Sequence, residues 1–228
     1  MDARLTTEFD KARALRPREP VAVKTRPDSY RVSWKRVLDI GLVLLTAPIS
    51  VPLVILGMIL AKLDGGPAFY TQPRVGYGGR VFRMFKLRTM RVNAEQHLSE
   101  ILMRDPRAAV EWQQSQKLRR DPRVTFAGSF LRKTSLDELP QLWNVILGEM
   151  SLVGPRPILQ EQVILYPGSA YFRLRPGLTG PWQVFGRNDE SFYARAKYDA
   201  MYEREIGLVS DLSLIGRTFG VVLWGTGH

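Results

Sequence analysis

Two adjacent carboxylates, Asp137 and Glu138, follow a basic stretch that contains Arg132. The run Ser135-Leu-Asp-Glu has the spacing of a capping box, and Gly148 follows as a stop, so the pattern predicts a helix over 136–147. At a helix start, the dipole and free amides favour anionic groups. Because acidic residues are ordinary in a first helical turn, a purely structural cap is the alternative to catalysis.

Three arginines lie in stretches rich in turn residues. Arg156 is in Gly154-Pro-Arg-Pro157, Arg175 begins a run that ends at Gly180, and Arg187 follows soon after. A planar guanidinium on a stiff backbone is suited to binding phosphate oxygens with two parallel hydrogen bonds. The alternative is structural pairing with carboxylates.

The composition excludes several kinds of chemistry. With 228 residues and no internal repeat, the chain has room for one catalytic domain plus accessory segments. It has no cysteine, and its two histidines, His97 and His228, have no second histidine at helical spacing, so zinc or triad chemistry is not expected. A formal net charge of +11 implies an anionic partner, which leaves nucleic acid, lipid head groups and phosphorylated substrates open.

An apolar stretch predicts a membrane segment over 31–63. Residues 1–30 form a polar tail without a signal-peptide pattern, whereas 40–61 contain no charged residue. At ~1.5 Å per residue, a helix of that length reaches about the thickness of a hydrocarbon core.

Two orientations of this segment stay open. Basic residues flank it on both sides, which suits a re-entrant hairpin bent at Pro48 and Pro52 and entering from the cytoplasmic side. A proline-kinked helix that crosses the bilayer is the alternative. In either case the prolines free carbonyl groups, to which the hydroxyl of Thr46 or Ser50 could donate.

The remaining chain predicts a mainly α domain with a small β element, an α+β fold over 64–228. Short strands are expected at 68–71 and 80–83 around a glycine turn, and surface helices at 93–103 and 108–118. The apolar stretch 208–224 is expected to be a core helix, with a helix in the membrane interface as the alternative.

Six motifs in fixed order resemble the polyprenyl-phosphate sugar-phosphate transferases that have a re-entrant membrane helix, and especially the exopolysaccharide galactosyl-phosphate transferases. The motifs are Lys35-Arg-Val-Leu-Asp39, Phe85-Lys-Leu-Arg-Thr-Met90, Ser135-Leu-Asp-Glu-Leu-Pro-Gln-Leu142, Met150-Ser-Leu-Val-Gly-Pro-Arg-Pro157, Arg175-Pro-Gly-Leu-Thr-Gly180 and Gly186-Arg-Asn188. Together they cover the chain after about residue 30. One departure is Ala47, which precedes Pro48 where the family carries a serine.

The resemblance implies a catalytic pair. Asp137 would attack the sugar-linked phosphate of a UDP-sugar, releasing UMP and leaving a sugar-phosphoryl-aspartate, and Glu138 would help Asp137 hold Mg²⁺. Undecaprenyl phosphate would then accept the sugar 1-phosphate, in which the sugar is galactose or glucose. Residues expected to contact phosphate or nucleotide are Lys86, Arg88, Arg132, Arg156, Arg175 and Arg187.

The resemblance also implies surroundings. The expected location is the cytoplasmic face of the bacterial inner membrane, with interfacial amphipathic helices, anionic lipids as partners and a homodimer as an open alternative. Nucleic acid is not an expected partner, because the long uncharged run argues against a soluble binder. An inactive membrane scaffold for polysaccharide assembly is the alternative function.

Overall fold

The computed structural model describes residues 30–63, 65–115, 118, 120–186 and 192–223. The predicted tail over 1–30 falls almost entirely outside these residues, as does Arg187. Within them, the chain is mostly helical with two small sheets, which confirms the predicted mainly α fold with a small β element.

The long apolar run forms one helix, α1 (Lys35–Lys62), which contains both Pro48 and Pro52. It is the one helix of the described chain that is long and apolar enough to cross a membrane. Its buried residues form a stripe at helical spacing along its whole length: Asp39, Val43, Ser50, Gly57 and Ala61. The opposite face exposes large apolar side chains, of which Leu45 is 74% exposed.

Polar contacts attach the start of α1 to the rest of the protein. The carboxylate of Asp39, only 3% exposed, accepts hydrogen bonds from the Ser151 hydroxyl at 2.8 Å and the Leu152 amide at 3.0 Å. Lys35 Nζ lies 2.6 Å from a carboxylate oxygen of Asp211, which is fully buried. A buried charge is tolerated when it is paired and hydrogen-bonded, so these contacts specify where α1 lies.

The end of α1 packs against the same domain as its start. Val43 belongs to a core cluster with Phe82 and Met84, while Ala61 packs with Leu87 and Leu131. Both ends therefore lie against residues of a single strand, 81–87.

The Thr46 hydroxyl donates back into the helix, to the carbonyl groups of Leu42 at 2.8 Å and Val43 at 3.2 Å. Hydroxyl bonds of this kind favour bending of a helix. Pro48 therefore has the hydroxyl of Thr46 within one turn, although Ala47 replaces the family's serine. The Thr46 hydroxyl does not donate to the Leu44 carbonyl, which is the one that Pro48 leaves without an amide partner.

A β-hairpin follows α1. Strands β1 (Phe69–Val75) and β2 (Val81–Leu87) pair antiparallel around the 3₁₀ turn Tyr77–Gly79. The predicted strands and glycine turn are confirmed, and each strand extends beyond the predicted bounds.

Two surface helices come next, α2 (Ala94–Arg104) and α3 (Pro106–Ser115). The prediction placed Pro106 between the helices, whereas it begins α3. Proline suits a first helical position because its missing amide would be unpaired there anyway. The Asp105 carboxylate accepts from the Arg107 amide and so caps this start.

The predicted single helix over 136–147 is wrong. The chain instead forms α4 (Phe126–Lys133), a 3₁₀ turn at Leu136–Glu138 and a short α5 (Gln141–Leu147). Pro140 explains the break, because within a continuous helix it could not donate a backbone hydrogen bond and would clash with the preceding turn. The capping box is absent too, since Ser135 has a left-handed backbone (φ 56°) and its side chain makes no cap.

Two motif stretches meet as a pair of short parallel strands, β3 (Ser151–Val153) and β4 (Gly177–Thr179). The amide of Gly154 donates to the Thr179 carbonyl, and that of Gly177 donates to the Pro155 carbonyl, both at 2.8 Å. A Cβ on Gly154 would lie 2.2 Å from the Arg175 carbonyl oxygen, and one on Gly177 would lie 2.1 Å from the Gly154 nitrogen. The two backbones are therefore in direct contact, which only glycine permits.

The described chain ends with α6 (Arg195–Glu205) and α7 (Leu208–Leu223). Tyr202 and Tyr30 both donate to the Asp211 carboxylate, at 2.6 and 2.7 Å. Asp211 and Leu214 are buried while Val209 is exposed, so α7 packs against the core along one face, as expected of a core helix.

We expect Gly154→Ala to destabilise the protein by about 2 kcal/mol, because overpacking against immobile backbone forces the two strands apart. Thermal unfolding in detergent measures the effect. Gly216→Ala in α7 is the matched control, since its Cβ would have no neighbour within 4 Å, and it should be neutral or slightly stabilising. Equal melting temperatures for both variants would contradict the close contact.

Candidate active site

The carboxylates singled out from the sequence lie on the 3₁₀ turn between α4 and α5. This turn contacts α1, α4 and β2, so three elements position it. Asp137 is buried, with only 8% of its surface exposed. Burial raises the pKa of Asp137 to about 6, with the Glu138 charge adding to the rise and the charges of Lys86 and Arg132 opposing it.

Positive charges near Glu138 favour its ionised form. Lys86 Nζ, from β2, donates to its Oε1 at 2.7 Å. Burial works to raise the pKa of Glu138, but the charges of Lys86 and Arg156 outweigh it, and the net pKa is lowered. Two neighbouring carboxylates are thus shifted in opposite directions, which is typical of catalytic pairs with different roles.

The site also includes two of the predicted arginines. Arg132, at the end of α4, donates from Nε to the Thr89 hydroxyl at 2.9 Å and contributes positive charge at Asp137. Arg156 is exposed between Pro155 and Pro157, and its charge acts on Glu138. Lys86, Arg132 and Arg156 therefore place positive charge at the carboxylate pair, and their phosphate-binding role stays a prediction.

Arg88 makes structural contacts. It is only 8% exposed, and its guanidinium donates to the backbone carbonyls of Ala61, Pro67 and Met90. We infer that it fastens the end of α1, and its predicted role in phosphate binding stays a prediction.

Arg175 lies with other partners. Its Nε donates to the Gly148 carbonyl at 2.9 Å, its guanidinium lies 5.9 Å from the Tyr77 ring, and its charge acts on Arg36 at the start of α1. Its phosphate-binding role stays a prediction, as does that of Arg187, which lies outside the described residues.

Arg74 was not predicted as a site residue. It lies near the end of β1, and its charge lowers the pKa of Glu138. The alternation of side chains along a strand could have indicated it. Lys86 pairs with Tyr70 of β1, and Arg74 lies four residues after Tyr70 on the same face of that strand.

The carboxylate pair fits a magnesium ion only in part. Among the described residues, no group of three or more His, Asp or Glu side chains is placed to hold a metal. Mg²⁺ is commonly bound through one or two carboxylates together with substrate phosphates, so Asp137 and Glu138 supply the donors that such a site requires of the protein.

Comparison with known proteins assigns the class. Residues 30–225 match the family model described as bacterial sugar transferase, and the chain belongs to this family, which confirms the resemblance drawn from the motifs.

Three curated relatives are similar at 44–45% identity. One is the exopolysaccharide production protein ExoY of Sinorhizobium fredii, 45% identical over 85% of this chain and 87% of its own length. The others are the UDP-galactose-lipid carrier transferase of Erwinia amylovora, at 45%, and the undecaprenyl-phosphate galactose phosphotransferase of Salmonella typhimurium, at 44%. Each of these two matches 83% of this chain, which spans about 40% of their lengths.

We expect Arg88→Ala to lower stability by about 3 kcal/mol, because three carbonyl groups lose a charged donor. Melting temperature in detergent gives the measurement. Arg91→Ala removes an exposed arginine nearby and should change stability by less than about 0.5 kcal/mol. An Arg88→Ala protein with unchanged stability and weaker substrate binding would instead support the phosphate role.

Proposed function

We propose that the protein transfers a sugar 1-phosphate from a UDP-sugar to undecaprenyl phosphate, releasing UMP and initiating synthesis of a surface polysaccharide. The observation that carries this proposal is the buried Asp137 beside the Lys86–Glu138 ion pair, in a chain of the bacterial sugar transferase family. The names of the relatives support the lipid acceptor and favour galactose, with glucose as the alternative sugar.

In the first step, a carboxylate oxygen of Asp137 attacks the phosphorus that carries the sugar. A new O–P bond forms, the bond from that phosphorus to the bridging oxygen breaks, and the electron pair leaves with UMP. A pKa of about 6 leaves Asp137 mostly ionised at neutral pH, as a nucleophile requires. Lys86 and Arg132 are placed to stabilise negative charge on the phosphoryl oxygens.

In the second step, an oxygen of undecaprenyl phosphate attacks the same phosphorus. The Asp137 O–P bond breaks, the carboxylate is regenerated, and the product is a lipid diphosphate that carries the sugar. Both reactants are anions, so the cationic side chains around the carboxylates reduce their repulsion.

Asp137 and Glu138 would hold Mg²⁺ together with the diphosphate of the donor. Bound there, the cation would offset the charge that develops on the diphosphate oxygens. The chain's own contribution is to fix Glu138 through Lys86 and to keep Asp137 away from bulk water.

The reaction joins a soluble nucleotide sugar to a lipid, so the site must lie at the membrane surface. The buried stripe of α1 supports a re-entrant helix, because a helix that crossed the bilayer could not pack along one domain at both ends. Its exposed apolar face would then lie in lipid, with the domain on the cytoplasmic side.

Two short helices next to the carboxylates carry apolar side chains that water does not favour. Phe126, on α4, is 97% exposed, and Trp143 and Leu147, on α5, are more than half exposed. Such faces support contact with the membrane interface, where anionic lipids would attract the basic chain.

We expect Asp137→Asn to reduce UMP release at least about 10³-fold, because the amide is not a nucleophile. The assay supplies a panel of UDP-sugars, undecaprenyl phosphate and Mg²⁺, and intact mass spectrometry looks for a sugar phosphate on the wild-type protein. Glu95→Gln, an exposed carboxylate of α2, is the control. Turnover by Asp137→Asn near the wild-type rate would contradict the assignment of Asp137 as the nucleophile. A wild type that turns over no UDP-sugar would favour the alternative function of an inactive membrane scaffold.

Single cysteines test the topology, since the natural chain has none. Cysteines at Ser33 and Lys62, both exposed, should react with an impermeant maleimide from the cytoplasmic side, and one at Ile49 should be protected by lipid. Labelling of Ser33 and Lys62 from opposite sides would show that α1 spans the membrane.

A further inference from the structure

Beyond the carboxylate pair, three arginines from distant parts of the chain lie close together, and two of them lie over the ring of one tryptophan. Arg74 comes from β1, Arg156 from the loop after β3, and Arg195 from the start of α6; with Trp182 they form what we term the arginine cluster. Arg195 lies 4.0 Å from the Trp182 ring centre and Arg156 lies 5.9 Å from it. Arg74 Nη1 donates to the Pro157 carbonyl at 3.2 Å, next to Arg156, and the charges of Arg74 and Arg156 both act on Arg195.

The cluster has donors without acceptors. The Nε atoms of Arg74 and Arg195 and the Nε1 atom of Trp182 are buried and make no hydrogen bond. A buried donor left unpaired costs about 1–3 kcal/mol, so their presence within a region of like charge calls for an acceptor that binds there.

Like charges within the cluster act on Arg195. Burial and the nearby Arg156 and Arg74 lower the pKa of Arg195 to about 10, although the Asp199 charge opposes this. Asp199 lies one helical turn away, and its carboxylate accepts from the Tyr166 hydroxyl at 2.7 Å. A phosphate would supply acceptors for the unpaired donors and negative charge beside the arginines.

Contacts connect the cluster to the carboxylate pair. Lys86, which donates to Glu138 Oε1 at 2.7 Å, pairs across the hairpin with Tyr70, and Arg74 is four residues along the same face of β1. Arg74 donates to the Pro157 carbonyl at 3.2 Å, next to Arg156, and Arg156 and Arg195 both lie over the Trp182 ring. The cluster therefore begins beside Glu138 and extends to Arg195, and the charges of Arg74 and Arg156 act on both of these residues.

We propose that the arginine cluster binds the nucleoside-linked phosphate of the donor, the phosphate that departs with UMP. This inference rests on the proposed function: if Asp137 attacks the sugar-linked phosphate between Lys86 and Arg132, the second phosphate lies one step outward, toward Arg156 and Arg74. Arg195 is stacked on Trp182, and its unpaired Nε would donate to the same group. The cluster thereby stabilises the charge that builds on the leaving phosphate.

The test measures binding of UMP and uridine to the full-length protein in nanodiscs by calorimetry, together with KM for the UDP-sugar and for undecaprenyl phosphate. Arg195→Ala should weaken UMP binding and raise the donor KM by about 10-fold or more, and leave uridine binding and the acceptor KM within twofold. Lys197→Ala, which removes an exposed charge two residues along α6, is the matched control and should leave all four within twofold.

A rise in the acceptor KM alone would place the lipid phosphate at the cluster and overturn the inference. Unchanged UMP binding in Arg195→Ala, or an equal loss in Lys197→Ala, would also overturn it. If Arg195→Ala does not fold, Arg156→Ala removes an exposed member of the cluster and must show the same donor-specific loss. Arg195-dependent UMP binding in a wild type without turnover would support the site and reject the transferase reaction.

Discussion

Two buried carboxylates on different helices hold the apolar helix against a basic domain. Asp39 receives hydrogen bonds from β3, and Asp211 receives them from Lys35, Tyr30 and Tyr202. Because each charge would be costly if its partners moved away, these contacts define one register between α1 and the domain. The position of the 3₁₀ turn follows from that register, since α1 packs against the turn that carries Asp137.

The electrostatics of the turn separate two neighbouring residues of the same chemical kind. Asp137 faces inward, where burial raises its pKa, while Glu138 contacts Lys86 and its pKa is lowered. The first carboxylate is therefore the more basic, and the second keeps its charge. The difference between them arises from burial at Asp137 and from the ion pair with Lys86 at Glu138.

Features set by local patterns could be predicted from the sequence. The uncharged run gave α1, and the glycines gave the hairpin turn, because each depends on neighbouring residues alone. The turn at Asp137 was mispredicted because the capping-box spacing outweighed Pro140, although proline inside a helix is the stronger constraint. Arg74 and Arg195 were missed because contacts between distant segments create their environment, and nothing in the adjacent residues marks it.

The glycine contact between β3 and β4 has a consequence for affinity. It joins the backbone just before Arg156 to the backbone after Arg175, so the loop that presents the guanidinium is already held when the substrate arrives. The conformational entropy of that loop is lost during folding instead of during complex formation. A flexible arginine would give up part of its binding energy to become ordered, whereas here the anionic ligand meets a preorganised receptor.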